Sequence, residues 1–193
     1  MPKITAASVV EHREQRRDLL VNVAADLMRE QGTADLTMGA IASRAGLSRT
    51  AVYEYYRSAA DLIADVIIDE LAEWADHLRD CCESVTDPRD RLETWIRSAL
   101  AYVADGRHGL VRAAGDATLP PVRRAQVQAM HRDLAAPLVE ALRELNVAAP
   151  DRLSTYMWSV TDAATRRIEA GRPAAAEIDE AVAFALAGID LVD

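Results

Sequence analysis

The sequence predicts an all-α protein: an N-terminal three-helix helix-turn-helix domain followed by a C-terminal helical body, about nine helices in all. Three observations carry this. Apolar residues recur at i, i+3, i+4 spacing through most of the chain. Glycine, proline and Asp-Gly breakers separate these stretches. No β-type alternation runs longer than four residues. The expected division is residues 1–57 for the helix-turn-helix domain, with 1–10 a mobile arm without pattern, and residues 58–193 for the body.

The first helix is expected over about 11–31, where Leu19, Leu20, Val23, Ala24, Leu27 and Met28 trace one apolar face and Gly32 follows as a stop. Arg13, Arg16 and Arg17 cluster at its start. Glu11, Glu14 and Asp18 interleave with them, which favours a solvated helix start over a phosphate-binding patch.

Residues 36–62, LTMGAIASRAGLSRTAVYEYYRSAADL, are the most informative stretch. Thr37 is suited to N-cap a short helix, its side-chain oxygen taking an orphan backbone N–H. Ile41, Ala42 and Ala45 share a face. Gly46 stands where a left-handed residue ends that helix. Ser48 caps a second short helix, pinned by Val52, Tyr55 and Tyr56, with Arg49, Thr50 and Tyr53 on the free face of its first turns. A helix so presented is the reading element of a helix-turn-helix, whose N-terminal residues meet base edges in the major groove. Arginine binds guanine in bidentate fashion and threonine touches a thymine methyl. Helix-turn-helix geometry also occurs in proteins that never touch DNA. Ser58 with Asp61 reads as the capping box of the next helix.

Downstream, a helix is expected over 59–82, with Leu62, Val66, Trp74, Leu78 and Cys81 on its stripe. The next starts at Thr86-Asp87-Pro88, with proline in the tolerated first turn, carries Leu92, Trp95, Ile96, Ala99, Tyr102 and Val103, and ends at Asp105-Gly106. A short helix lies near Leu110–Ala114. Pro120-Pro121 opens one continuous helix to Leu145, and further helices span about 151–170 and from Pro173 onward.

A chain of 193 residues with 50% apolar content holds a real core. No run reaches the ~18 apolar residues of a membrane span, and no basic-then-apolar secretion signal stands at the N-terminus. No membrane partner and a cytoplasmic location are therefore expected. The net charge of −9 is unevenly spread, +1 over residues 1–60 and −10 over 61–193. The acidic part is repelled by phosphate, so any DNA contact rests on a local patch and weakens steeply with salt. Cys81 and Cys82 are adjacent on a helix, a poor geometry for a mutual disulfide, and read as structural thiols. The four histidines are scattered, and HExxH, GxSxG, P-loop and GxGxxG motifs are absent. No catalytic residue, metal site or cofactor is expected, and the chain does not read as an enzyme.

The segment 37–62 resembles the DNA-binding domain of the TetR family of transcriptional regulators. The likeness rests on Thr37, Ile41-Ala42, Ala45-Gly46-Leu47-Ser48, Tyr53, Tyr56 and Leu62, in matching type and spacing. The resemblance implies Thr37, Tyr53 and Tyr55 at phosphates, Arg49 and Thr50 near base edges, Ser48 at the helix cap and Arg57 as a further backbone contact. It departs from the family at Ala59, where lysine is usual, at Gly39 and Ala40, where polar residues are common, and at Tyr56, usually phenylalanine, whose hydroxyl needs a partner.

Beyond that segment the likeness lies in helix layout. It implies a homodimer formed by the last two helices and a small-molecule effector pocket in the body. Pocket lining is expected from Trp74, Trp95, Tyr102, His108, Met130, His131 and Met157, each of which also suits ordinary core packing. The interface is expected on Leu153, Met157, Val160, Ala164 and Ile168 and on Ile178, Val182, Ala185 and Ile189. The implied function is a homodimeric repressor that binds a near-palindromic double-stranded operator and is released by an effector. Two other readings are a DNA-binding dimer without ligand response, and a helical interaction module or enzyme that has lost its DNA contacts.

Overall fold

A computed structural model describes residues 6–115 and 117–191, with side chains from residue 10 onward. Ten α-helices form among them: α1 (Ala6–Gln31), α2 (Met38–Ala45), α3 (Arg49–Tyr53), α4 (Ala59–Glu83), α5 (Pro88–Ala104), α6 (Gly109–Ala113), α7 (Pro121–Leu134), α8 (Ala136–Glu144), α9 (Pro150–Glu169) and α10 (Ala174–Asp190).

Two boundaries differ from expectation. The arm expected over 1–10 is helical from Ala6 onward, as the good helix formers Ala6 and Ala7 allow; residues 1–5 lie outside the described residues. The single helix expected over 120–145 is two, α7 and α8, with Ala135 between them. Pro137 has no N–H to continue the ladder, and it sits in the first turn of α8, where that loss costs nothing.

The chain forms two compact units. The first comprises residues 1–70 with 110–127, the second 71–109 with 128–193, so the boundary expected after residue 57 falls inside the first unit, and α4 contributes to both. In the first unit, Leu20, Ala24 and Met28 of α1, Ile41 of α2, Val52 of α3 and Leu62 and Val66 of α4 are buried together with Leu110 of α6. Leu19, expected on the apolar face of α1, is exposed. The Thr33 hydroxyl donates to the Ala113 carbonyl at 3.1 Å.

In the second unit α5 packs against α8, α9 and α10. Its buried residues, among them Leu92, Trp95, Ile96 and Leu100, form the centre. Asp87 caps it through the N–H groups of Arg89 and Asp90 at 2.9 and 3.0 Å. The Trp95 indole N–H donates to the Leu134 carbonyl at 2.9 Å, so this buried polar group is satisfied. Ion pairs Arg89–Asp190 at 2.7 Å and Arg97–Asp179 at 2.8 Å join α5 to α10 and its first turns. The Arg89 hydrogen bond holds the Asp190 carboxyl below its ordinary value. The Arg167–Glu177 pair does the same for Glu177.

Cys82 is buried, and burial first and Cys81 second push its thiol up to about 11. Cys81 is half-exposed, with its sulfur 3.8 Å from His77 Nε2. At pH 8 a thiol reagent is therefore expected to label Cys81 and to leave Cys82 unmodified until the chain unfolds. Equal labelling rates in the native protein would contradict this. Because folding raises the Cys82 value, its contribution to stability is intact below the unfolded value and is lost as pH climbs toward 11.

Candidate nucleic-acid interface

The helix-turn-helix is fixed by local hydrogen bonds. The Thr37 side chain accepts from the Ala40 N–H at 3.1 Å and starts α2. Gly46 ends α2 at φ 67°, a left-handed conformation that costs glycine no Cβ clash. The Gly46 and Leu47 N–H groups return to the carbonyls of Ser43 and Ala42 at 3.3 and 2.9 Å, a Schellman closure. Ser48 then accepts from the Ala51 N–H at 3.1 Å and starts α3. Each capping hydroxyl keeps its own proton to donate outward.

Val52 is fully buried and anchors α3, so the opposite face is turned out. Arg49 and Thr50 are exposed, and Tyr53 is 48% exposed, a large aromatic left in water beside two polar groups. Thr37, Ser48 and Arg57 are also exposed and Tyr55 is half-buried. The seven residues expected at DNA thus lie between residues 37 and 57 with no fully buried member. The Arg13 guanidinium stands 5.7 Å over the Tyr55 ring, a cation–π contact.

Behind this face lies a network that the sequence does not announce. Asp65 of α4 is buried, in the otherwise apolar run Leu62–Ile67. The Tyr56 hydroxyl donates to its Oδ2 at 2.8 Å. Arg17 of α1 pairs with the same oxygen and Arg123 of α7 with Oδ1. Arg17 also donates from Nε to the Tyr56 hydroxyl at 3.3 Å, and this contact first of all raises its pKa above the ordinary arginine value. Four helices or helix ends of the first unit therefore meet on one carboxylate. The available signal was an acid inside a buried run. Its partners come from 48 and 58 residues away in sequence, which no local pattern reports. Tyr56 obtains the partner its hydroxyl requires. Arg17, though half exposed, is engaged with Asp65 and Tyr56 rather than free as its cluster suggested. At the start of α4, Ser58 accepts from the Asp61 N–H at 3.2 Å and donates to the Asp61 carboxylate at 2.9 Å.

The residues expected at an effector pocket fall into two aromatic groups of the second unit. Trp74 stacks on Tyr102 with ring centroids 5.3 Å apart and meets the edge of His108 at 5.1 Å. Trp95 and His131 instead meet Trp158, at 5.9 and 6.1 Å. Met157 is buried and Met130 half-buried. The Trp74 indole N–H is buried with no acceptor, and His108 Nδ1 lies 2.9 Å from Glu169.

Of the expected interface residues, Met157, Val182, Ala185 and Ile189 are buried within their own unit and offer a partner little area, while Ala164, also buried, lines the groove beside Phe184. Leu153, Val160, Ile168 and Ile178 are half-buried. The periodicity of α9 and α10 marked the face that packs inward. The outward apolar groups are Tyr156 and Phe184, 60% and 68% exposed. Phe184 borders a groove of about 220 Å³ lined by Val160, Ala163, Ala164 and Ala181, with Arg167, Glu177 and Glu180 at its charged margin. Among the described residues no helix is long and apolar enough to cross a membrane. No group of three or more metal-ligating side chains occurs among them.

Residues 20–66 match the family model for bacterial regulatory proteins of the tetR family. The HTH-type transcriptional regulator BetI of Rhizobium meliloti is 31% identical over 97 residues, 50% of this chain and 45% of that protein. The HTH-type transcriptional activator FasR of Mycolicibacterium smegmatis is 25% identical over 97 residues, 50% and 44% respectively. The match therefore spans a little under half the length of these curated relatives. Among solved structures, the transcriptional regulator FadR of Bacillus subtilis in complex with stearoyl-CoA has a TM-score of 0.71 at 12% identity, over 89% of this chain and 98% of that one. A TetR/AcrR-family transcriptional regulator of Thermobifida fusca has a TM-score of 0.68 at 18% identity, over 89% and 97%. The SmeT–triclosan complex has 0.68 at 20%, over 89% and 90%. At these identities the likeness is one of fold. Residues 20–66 thus carry a helix-turn-helix domain of the kind found in the tetR family of bacterial regulatory proteins, folded by Thr37, Gly46 and Ser48.

Proposed function

We propose that this protein is a ligand-responsive DNA-binding transcriptional regulator, a homodimeric repressor of a near-palindromic operator that a small-molecule effector releases. The observation that carries the reading is the outward face of α3, where Arg49, Thr50 and Tyr53 stand exposed on a helix capped at Ser48 and anchored by Val52. Arg49 and Thr50 address base edges in the major groove. Thr37, Ser48, Tyr53, Tyr55 and Arg57 hold the flanking phosphates and set the register.

A five-residue reading helix makes few contacts, and a two-fold dimer doubles them on two half-sites. The groove beside Phe184 supports self-association, because a phenyl ring suits a hollow lined by small residues, and a two-fold axis makes each copy supply both ring and hollow. Tyr156, Val160, Ala163 and Arg167 recur at helical spacing on the same face of α9.

The effector is assigned to the second unit, beside the Trp74, Tyr102 and His108 group. The unsatisfied Trp74 indole N–H there calls for a ligand with a hydrogen-bond acceptor. The effector acts by displacing α4, which begins directly after the reading helix and Ser58. Linkage then requires that operator DNA weaken effector binding by the same factor.

Two substitutions test the contacts on a duplex enriched from a random pool. Arg49→Ala is expected to cost about 1–3 kcal/mol of discrimination at one base position. Tyr53→Phe is expected to weaken all sequences about equally, because a phosphate contact carries no base information. Titrations of the enriched duplex and its single-base variants separate the two. Unchanged affinity in both variants would sink the contact assignment.

A further inference from the structure

We propose that the first unit carries a second ligand site, for a phosphate-bearing small molecule, in the cleft where Arg13, Arg17, Arg57 and Arg123 converge. The cleft holds about 520 Å³, within the range of small-molecule sites, and is also lined by Tyr55, Tyr56, Asp61 and Asp65. It shares no residue with the aromatic groups assigned to the effector, but it shares Tyr55 and Arg57 with the proposed DNA contacts, an overlap that the duplex arm of the test addresses.

Charge decides what such a cleft takes. Four guanidiniums face two carboxylates, a local excess of two positive charges in a chain whose net charge is −9. Asp65 is divided between Arg17 and Arg123, so one negative charge serves two positive ones. Asp61 is turned to the Ser58 hydroxyl. Neither Arg13 nor Arg57 has a carboxylate partner among the described residues. The Arg123 Nε–H is buried with no acceptor. Buried donors are almost always satisfied, and an orphan on a cation beside a cleft calls for an anion that supplies the missing oxygen.

The arginines come from α1, from the segment after α3 and from α7, so they approach from separate elements rather than as one fork. A tetrahedral phosphate with two charges and several acceptor oxygens suits that arrangement, whereas a planar carboxylate offers two oxygens in one plane. The anion competes with Asp65 for Arg17 and Arg123. That rivalry gives the test its sign.

The test is calorimetric titration of the full chain with inorganic pyrophosphate at fixed ionic strength. The expected result is one saturable site per chain. Arg13→Gln, an exposed change that leaves the fold intact, weakens it tenfold or more. Asp65→Asn, checked for native helicity, tightens it several-fold because the competing charge is gone. Heats that never saturate, or that are the same in both variants and the parent, would overturn the site. The enriched duplex then separates the sources of phosphate. Simultaneous binding of duplex and pyrophosphate supports the small molecule. Mutual exclusion assigns the cleft to a DNA backbone phosphate and overturns the small-molecule assignment. A chain that binds pyrophosphate but selects no duplex refutes the DNA reading and leaves the cleft standing.

Discussion

Asp65→Ala is expected to destabilise the native state by about 2–4 kcal/mol. Removing one partner of a buried charge pair usually costs ~3–5 kcal/mol, because the other charge stays desolvated and unpaired. Here the cost is lower, since Arg17 is half in water and turns outward, while Arg123 is mostly covered and does not. The Tyr56 hydroxyl loses its acceptor as well, and Tyr56→Phe alone is expected to cost only about 1 kcal/mol. The ordering Asp65→Ala well above Tyr56→Phe is read from urea unfolding midpoints at pH 7. Equal small effects in both would mean that the four groups do not act as a network. The position also matters for function, because Tyr56 closes the segment after α3 and Asp65 lies on α4. A loosened joint is expected to lower duplex affinity even though neither residue faces the groove.

Phe184→Asp is expected to break self-association with little effect on the folded chain. The ring is 68% exposed, so its loss leaves no cavity. On the proposed interface it is the large apolar anchor beside the groove of Val160, Ala163, Ala164 and Ala181. A charge placed there faces Glu180 as a like charge, Glu177 being paired with Arg167, in addition to losing the buried ring. Central aromatic anchors carry about 2–4 kcal/mol, so the dimer dissociation constant should rise roughly 30- to 1,000-fold. Sedimentation velocity reads the mass and thermal unfolding of the monomer checks the fold. Duplex binding should fall in parallel, because one reading helix alone has too few contacts. A variant that stays dimeric would move the interface elsewhere.

Periodicity placed most helices within a residue or two. The helix expected over 59–82 is Ala59–Glu83, and that over 151–170 is Pro150–Glu169. The caps at Thr37 and Ser48 and the left-handed Gly46 were legible because each rests on bonds between residues no more than five apart. The break before Pro137 was legible in principle, since proline cannot continue the ladder, but the apolar stripe runs through it from Leu134 to Leu138 and hides it. Two features were not legible at all. The meeting of Arg17, Tyr56 and Arg123 on Asp65 is tertiary. On α9 and α10, an apolar stripe says that a face is buried but not whether its own unit or a second copy buries it. Val182 went to the interior, and the exposed Phe184, on another face of α10, is the better docking group.

Selection from a random duplex pool by the purified full chain tests the central claim most directly. The outward face of α3, presented twice in the proposed dimer, predicts strong enrichment of near-palindromic sites. Their half-sites should lie about one DNA turn apart, with affinity falling steeply as salt rises. A pool that emerges unenriched, from a chain that is folded and dimeric, would contradict it.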